Sequence, residues 1–416
     1  MKKRLLSWLL VLTMITSLIP STLVTTAFAA GDGVNITGAI DLTNDTSPIT
    51  TAGVYRITGT RQNPVKITAT DEVVLVLDNV TIATNISPIE LADGAKVTLV
   101  VLDGTNNTLT CNATAANDTN GGKTAGILVP ETASLTIDKQ ENSKGNGELT
   151  ITAAVGGAGI GGGAGVYSAD RAASGSDGTL GTKGTDIYDN QNGTTHTGGS
   201  AGAIGTGGQG GRNGTNGGSM GSLTIHNGNI IVTGGANAAG IGGGAGHDGE
   251  NGANGEKGKT GEKGKYRLQA IQPTYISYCA GSGGNSGSGA GGNGGNGGNG
   301  GNGGNVTITG GRVTVTGGNG APDIGGGNGG QNGVAGIGGE ANTEDNKQQI
   351  NYKWINVVET QGYGGAGGAG GQGEDGWNGS AGNGGSGAVV NITGGTVVLA
   401  RKTVCGGKAG VNTTQG

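Results

Sequence analysis

A short unit recurs along this chain, and its spacing restricts the fold more than any other feature. Residues 222–244 read SLTIHNGNIIVTGGANAAGIGGG, two short β-branched runs separated by an Asn-Gly corner and followed by a glycine corner. Residues 305–327 repeat this pattern, residues 134–163 repeat it with a longer first corner, and a weaker copy begins at Val390. The copies lie about 83 residues apart, although one unit needs only about 23. Self-similarity of this kind is typical of repeat architectures.

The region from residue 33 to about 155 contains only short segments rich in Val, Ile, Leu and Thr, with Asn, Asp, Gly or Pro between them. Such segments predict strands and turns. The text VVLVLDNVTIATNISPIEL aligns with VTLVVLDGTNNTLT…AGILV, and the first strands lie about 24 residues apart. We therefore predict an all-β fold, a right-handed parallel β-helix, in which successive coils stack at roughly 4.8 Å. A β-sandwich, which also has regular short strands, is the alternative.

Glycine occurs at every third position in the long insertions between the later copies, as in residues 289–304 and 364–382. A period of three fits neither an α-helix nor a strand. It fits an extended helix with three residues per turn and a rise of about 3.1 Å. We expect each insertion to form a hairpin of two such arms, packed side by side on the solenoid. Disordered arms are the alternative, because ordering a residue costs about 1–2 kcal/mol and one hydrogen bond returns only about 1 kcal/mol.

These patterns divide the chain into three parts. Residues 1–30 are a predicted signal peptide, residues 31–160 are N-terminal β-helix coils, and residues 161–416 are coils interrupted by glycine-rich insertions at about 161–221, 244–304 and 325–388.

The predicted signal peptide has a positive start, an apolar run and the cleavage box Ala27-Phe28-Ala29. This arrangement predicts a secreted protein, extracellular or associated with the cell surface. Removing Lys2, Lys3 and Arg4 changes the formal charge from −5 to about −8. A mildly acidic surface argues against nucleic acid as a partner, and we expect no membrane insertion. The oligomeric state is left open.

The three cysteines are an odd number for an exported chain, so at least one thiol is unpaired or bonded to another molecule. The sequence leaves their pairing open. Without a C-x-x-C motif, and with the three histidines scattered, a structural zinc site is not indicated. The cysteines are Cys111, Cys279 and Cys405.

Two resemblances follow from these motifs. The text LVLDNVTI, GILVPETASLTI and AGIGGG resembles secreted right-handed β-helix carbohydrate-binding proteins of clostridial type, best over about residues 33–165. That resemblance implies binding of acidic plant polysaccharide with Ca²⁺ as an assisting ion. The glycine-rich insertions are similar in pattern to the polyglycine-helix sandwiches of phage tail-fibre adhesins. Those sandwiches carry recognition loops at their ends.

Aromatic residues concentrate at the ends of the three glycine hairpins, which we call the tips. Tyr and Trp dominate binding hot spots, so we predict ligand-binding roles for them, in stacking on sugar rings or filling a receptor pocket. Packing of one tip against another is the alternative. The residues are Tyr188, Tyr266, Tyr275, Tyr278, Tyr352, Trp354 and Tyr363.

Three aspartates each end the predicted first strand of a coil, in the motifs LVLD, VVLD and LTID. Stacking would place the carboxylates of Asp78, Asp103 and Asp138 at one corner, about 5 Å apart. Carboxylates that close repel unless a cation intervenes, and Ca²⁺ takes several carboxylate oxygens. We therefore expect these residues to be candidate Ca²⁺ ligands. Solvated aspartates that favour turns are the alternative.

Three functions fit the sequence. The first is a non-catalytic binding or adhesion protein that recognises polysaccharide, including acidic polysaccharide with Ca²⁺, or a surface receptor. The second is a polysaccharide lyase of the pectate type on the same β-helix. We expect no arginine in the coils to pair with an acidic neighbour at matching height, and no Ser-His-Asp set is evident, so we expect no enzyme. The third is a purely structural surface protein with disordered glycine loops.

Overall fold

The computed structural model describes residues 33–114, 120, 122–184, 186–189, 194–196, 198, 200–259, 266–271, 274–279, 286–340 and 374–414. The predicted signal peptide and most of the third tip therefore lie outside the described residues. Within those ranges the secondary structure consists of β-strands, and no helix is present that could span a membrane. The all-β prediction is confirmed.

The described chain contains 26 strands. In chain order they are β1 (Ile40–Asp41), β2 (Gly53–Arg61), β3 (Val65–Ile67), β4 (Glu72–Thr84), β5 (Ile89–Leu91), β6 (Lys96–Val101), β7 (Asn106–Cys111), β8 (Ile127–Leu128), β9 (Ser134–Asp138), β10 (Glu148–Thr152), β11 (Ile160–Gly161), β12 (Tyr167–Arg171), β13 (Ile187–Asp189), β14 (Thr194–His196), β15 (Arg212–Gly214), β16 (Ser222–Ile225), β17 (Asn229–Thr233), β18 (Ile241–Gly242), β19 (Tyr266–Ile271), β20 (Thr274–Cys279), β21 (Asn305–Ile308), β22 (Arg312–Thr316), β23 (Ile324–Gly325), β24 (Val389–Ile392), β25 (Thr396–Leu399) and β26 (Val404–Cys405).

Most of these strands form three parallel rows. The first row runs β2-β4-β6-β9-β16-β21-β24, and the second runs β4-β7-β10-β17-β22-β25. The long strand β4 contributes to both rows and joins them, and together with β1, which pairs with β2, they form one 13-stranded sheet. The third row is the seven-stranded sheet β3-β5-β8-β11-β18-β23-β26. One strand from each row makes a coil, and each coil pairs in parallel with the coils before and after it. The predicted parallel pairing is confirmed.

Stacked apolar side chains fill the interior between the rows. In the first row, Leu75, Leu99, Ile137, Ile225 and Ile308 pair successively and are all fully buried. The strands alternate buried and half-exposed residues, because successive side chains in a strand point to opposite faces. Burying each such side chain contributes about 1.5–3 kcal/mol relative to exposure. A narrow core of this kind needs β-branched residues and Leu, but few aromatics.

The glycine-rich insertions form arms that hydrogen-bond to one another through their backbones. Outgoing arms leave the coils at residues 172–184, 244–259, 327–340 and 406–414, and return arms come back at residues 200–221, 286–304 and 374–388. Neighbouring return arms bond at every third residue, as in Gly211 N to Asn293 O (2.9 Å) and Gly214 N to Asn296 O (2.7 Å). The described residues of the arms are therefore ordered and lie side by side, in contrast to the alternative of disordered arms.

Successive residues of one arm point to three different neighbours. On the return arm 286–304, Gly289 N donates to the second outgoing arm, Ala290 N to the first outgoing arm and Gly291 N to the third return arm. The next three residues, beginning at Gly292, repeat the same set of partners. A three-residue screw produces this pattern, so the hydrogen bonds have the period that the glycines have in the sequence.

Two of the three cysteines have described side chains. Cys111 is a buried free thiol and Cys405 is an exposed free thiol. Burial raises the pKa of the Cys111 thiol, which keeps it protonated and unreactive.

Candidate functional site

The first tip carries an exposed tyrosine on a small hairpin. Strands β13 and β14 pair antiparallel, and Tyr188 lies opposite Thr195. The Tyr188 side chain is 57% exposed. The base of the tip is closed by the Asp186 carboxylate, which accepts hydrogen bonds from Lys183 Nζ (2.9 Å) and Gly198 N (2.7 Å). Tyr188 is thus available to a ligand, as its predicted role requires.

The second tip is a longer antiparallel hairpin of β19 and β20. Its backbone register pairs Tyr266 with Cys279, Arg267 with Tyr278 and Ala270 with Tyr275. Strands β13 and β20 approach within 8 Å between Cα atoms, so the first two tips lie side by side. The predicted roles of all these tip tyrosines stay predictions. The remaining predicted residues, Tyr352, Trp354 and Tyr363, lie outside the described residues.

The three aspartates do not stack at one corner. Asp138 pairs with Val100, and Val100 pairs with Val76. Asp138 therefore lies level with Val76, which is two residues before Asp78. The expectation of a shared carboxylate corner is therefore wrong. The physical reason is that the rows align at the strand starts Glu72, Lys96 and Ser134, and the aspartates follow those starts by different numbers of residues.

Each aspartate also has a protein partner. Asp78 forms an ion pair with Arg56 on the neighbouring strand β2, so the expectation that no coil arginine pairs with an acidic neighbour is wrong. Asp103 Oδ2 accepts a hydrogen bond from Gly145 N at 2.7 Å. Asp138 is buried, and its Oδ1 accepts from Lys139 N (2.8 Å) and Asn227 Nδ2 (3.0 Å). Across the part of the chain that the structure describes, no three His, Cys, Asp or Glu side chains converge in a metal-binding group. The three residues do not fit a Ca²⁺ site as a set.

A polar cleft lies where the second row ends in the early coils. It has a volume of about 320 Å³, and the residues that line it are Thr60, Arg61, Gln62, Ala83, Thr84, Asn85 and Asn112. Because Thr84 pairs with Cys111, the next residues, Asn85 and Asn112, lie on neighbouring coils. Amides and hydroxyls can donate to and accept from sugar hydroxyls. This cleft was not predicted from the sequence, although the sequence shows amides recurring at one coil position, at Asn85 and Asn112.

A charged and aromatic group, which we call the arm-base cluster, joins strand β12 to the first return arm and the second outgoing arm. Glu250 Oε2 accepts hydrogen bonds from Arg171 Nη1 (3.2 Å), Arg212 N (3.0 Å) and Arg212 Nε (3.2 Å). The Arg212 guanidinium lies 4.2 Å from the ring centre of Tyr167, and the His247 ring lies 4.2 Å from the same centre. The pKa of the Glu250 carboxyl is lowered, first by the hydrogen bond from the Arg212 backbone and then by the two arginine side chains. With Tyr167 covered and the charges paired, this cluster fixes the arms.

The geometry defines a class of all-β protein in which parallel coils carry a bundle of glycine-triplet arms with an exposed first tip and a polar cleft. Residues 43–240 match the family model described as carbohydrate-binding domain-containing protein. The match covers four coils, the first glycine hairpin and most of the fifth coil, and it is just under half of the chain. No curated protein and no solved structure matches the chain.

Proposed function

We propose that this protein is a non-catalytic, exported polysaccharide-binding protein. The observation that carries the proposal is the match of residues 43–240 to a carbohydrate-binding family model. Two surfaces within those residues have the chemistry of a sugar site, namely the polar cleft and the exposed ring of Tyr188. Sugar sites combine aromatic surface with a few placed hydrogen-bonding groups.

We infer that the coils are wound as a right-handed parallel β-helix. A parallel strand that follows another in the same sheet is reached by a right-handed crossover in about 98% of cases. In this arrangement the coils act as a rigid scaffold and the arms hold the tips away from it. Such a scaffold supports binding because rigid groups lose little conformational entropy when a ligand docks.

The test is a glycan array probed with the protein that lacks residues 1–30, with and without EDTA. We expect binding to polysaccharide, and we expect the Tyr188→Ala variant or the Asn85→Ala/Asn112→Ala variant to bind at least tenfold more weakly. Asn391→Ala, which removes an exposed amide from the last coil outside the matched residues, is the control and should bind as the wild type does.

The outcomes separate the parts of the proposal. Binding to no glycan by a folded protein would contradict it. Loss of binding in EDTA, with preference for polygalacturonate, would support the expectation, implied by the resemblance to clostridial proteins, of an acidic ligand with Ca²⁺. Wild-type binding by both site variants would move the site away from the first tip and the cleft.

A further inference from the structure

The return arms present a regular row of uncharged side chains on one side. These residues recur at every third position, so a three-residue screw places them along one side of each arm. We call this surface the amide face. It consists of Asn213, Asn216 and Ser219 on the first return arm, Asn293, Asn296, Asn299 and Asn302 on the second, and Trp377, Ser380, Asn383 and Ser386 on the third.

Side-chain oxygens on the amide face accept hydrogen bonds from the backbone of the next arm. Asn213 Oδ1 accepts from Asn296 N (2.8 Å), and Asn296 Oδ1 accepts from Ser380 N (2.8 Å). The next level repeats this arrangement, because Asn299 Oδ1 accepts from Asn383 N (2.8 Å). The bonds satisfy backbone N–H groups at the edge of the bundle that donate to no backbone carbonyl among the described residues.

The same bonds fix the orientation of each amide. An amide oxygen that accepts a backbone N–H leaves its NH₂ group free to donate elsewhere. Among the described residues, none accepts a hydrogen bond from Nδ2 of Asn296, Asn299 or Asn302. The exposed positions along one arm are separated by three residues, a distance of roughly 9 Å at a rise of about 3.1 Å per residue. The face therefore holds donors at fixed spacing, already ordered before a ligand arrives.

An exposed tryptophan lies on this same face. The Trp377 side chain is 79% exposed, and its backbone N–H donates to Asn293 Oδ1 at 2.8 Å. Trp377 is thus in line with Ser380, Asn383 and Ser386 on the third return arm. A large aromatic ring at such exposure offers an apolar surface on which another molecule can stack.

We propose that the amide face binds a neutral, extended polysaccharide, with a sugar ring stacked on Trp377 and sugar hydroxyls accepting from the ordered amides. All eleven residues of the face are uncharged, which favours a neutral glycan over an acidic one. The proposal rests on the proposed function, but its site lies largely outside residues 43–240 and is separate from the first tip and the cleft. Ordered groups lose little entropy on binding, which favours the many weak contacts of an extended chain.

The experiment compares binding to insoluble cellulose, insoluble chitin and soluble polygalacturonate, using the protein without residues 1–30. We expect retention by one of the neutral polymers, weakened tenfold or more in Trp377→Ala, because aromatic hot spots carry much of a binding energy. The second variant is Asn296→Asp/Asn299→Asp. It keeps the oxygens that accept from the next arm but removes both NH₂ donors, and should weaken neutral binding similarly.

The matched control is Asn251→Asp/Asn254→Asp. These two residues make the same kind of hydrogen bond between outgoing arms, because their Oδ1 atoms accept from Val334 N and Ile337 N (both 2.9 Å). An aspartate already has this role at Asp248, whose Oδ1 accepts from Gln331 N at 2.7 Å, so the substitution preserves the arms. The control adds the same charge away from the amide face, and we expect it to bind cellulose or chitin as the wild type does.

Wild-type affinity of the Trp377→Ala and Asn296→Asp/Asn299→Asp variants for the neutral polymer would overturn the proposal. Binding of the wild type to polygalacturonate alone would overturn it too, while leaving the proposed function intact. Binding to no polysaccharide would overturn both. Equal loss in the control variant would assign the effect to charge and would also count against the face.

Discussion

Gly298→Ala should separate two return arms, because the structure leaves no room for a methyl group at this position. A Cβ added to Gly298 would lie 1.9 Å from the carbonyl oxygen of Thr215, where real contacts are essentially never below 3.0 Å. The arms must then move apart by about 1 Å. Hydrogen bonds from Gly214 N (2.7 Å) and Gly217 N (2.8 Å) to the second return arm flank this contact.

Losing those two bonds costs about 2–3 kcal/mol, at roughly 1–1.5 kcal/mol each. This change should raise the opening of the arms about 30- to 150-fold, since 1.4 kcal/mol is a factor of ten. Hydrogen exchange followed by mass spectrometry on the native protein is the assay. Peptides from residues 205–221 and 286–304 should exchange faster by that factor, while peptides from the N-terminal coils keep their rates.

Gly94→Ala is the control for this prediction. Gly94 has a positive φ of 74° but no atom within 4 Å of an added Cβ, so alanine there strains only the backbone, by about 1–2 kcal/mol. It should leave exchange in the arms unchanged. Unchanged exchange in the arms of Gly298→Ala would contradict this prediction and show that close packing of the arms does not require glycine there.

Three further predictions concern the coils and the arm-base cluster. Ile225→Ala empties a fully buried position between two coils and should lower the free energy of unfolding by about 2–5 kcal/mol in urea denaturation. Asp323 is fully buried and accepts from Gly317 N (2.8 Å) and Arg401 N (2.7 Å), so Asp323→Ala should destabilise the last two coils more than Asp323→Asn, measured by hydrogen exchange. The lowered pKa of Glu250 means that its carboxylate stabilises the arms above its unfolded pKa of about 4.3, and this contribution is lost as the pH falls through the folded value. Thermal melts should therefore show a smaller decrease in Tm between pH 5 and pH 3 in Glu250→Gln than in the wild type; an equal decrease would contradict this.

The strand rows were predictable from the sequence because buried residues repeat at matched positions. The sequence alignment places the first strands of two coils 24 residues apart, and the structure pairs Glu72 with Lys96 at that same separation. The aspartate corner was not predictable from motif endings. Strand β4 continues beyond Asp78 through Asn79, whose φ of 52° bends the chain into the second row. Strand β6 ends at Val101, two residues before Asp103, and of the three motifs only LTID ends its strand at the aspartate. Register depends on the whole buried face, and a shared last residue carries little information about it.

The amide face was missed for a different reason. A triplet such as Gly-Gly-Asn indicates from sequence only that glycine recurs at every third position. Whether its asparagine accepts a hydrogen bond depends on which arm lies beside it. Asn299 accepts from Asn383, which is 84 residues away, whereas Asn216 accepts from Asn299, which is 83 residues away. Only the stacking of the coils decides these partners, so neither the amide bonds nor the placement of Trp377 among them can be read from one arm alone.

The coils therefore set the register of the arms, and this leads to a last prediction. Asn213 lies nine residues before Ser222, and Asn296 lies nine residues before Asn305, where the next first-row strands begin. The coils therefore fix the register of the return arms, and differences in insertion length are accommodated at the tips. One glycine inserted after Asn296 should shift the triplets on the tip side of the insertion by one residue, placing asparagine where only glycine fits. Peptides on that side should then exchange faster, while those around Gly301 keep their rates, because the coil still positions them. One glycine inserted between β13 and β14, within the first tip, should leave both sets unchanged. Equal exchange in the two insertion variants would show that the arms find their register from one another, without the coils.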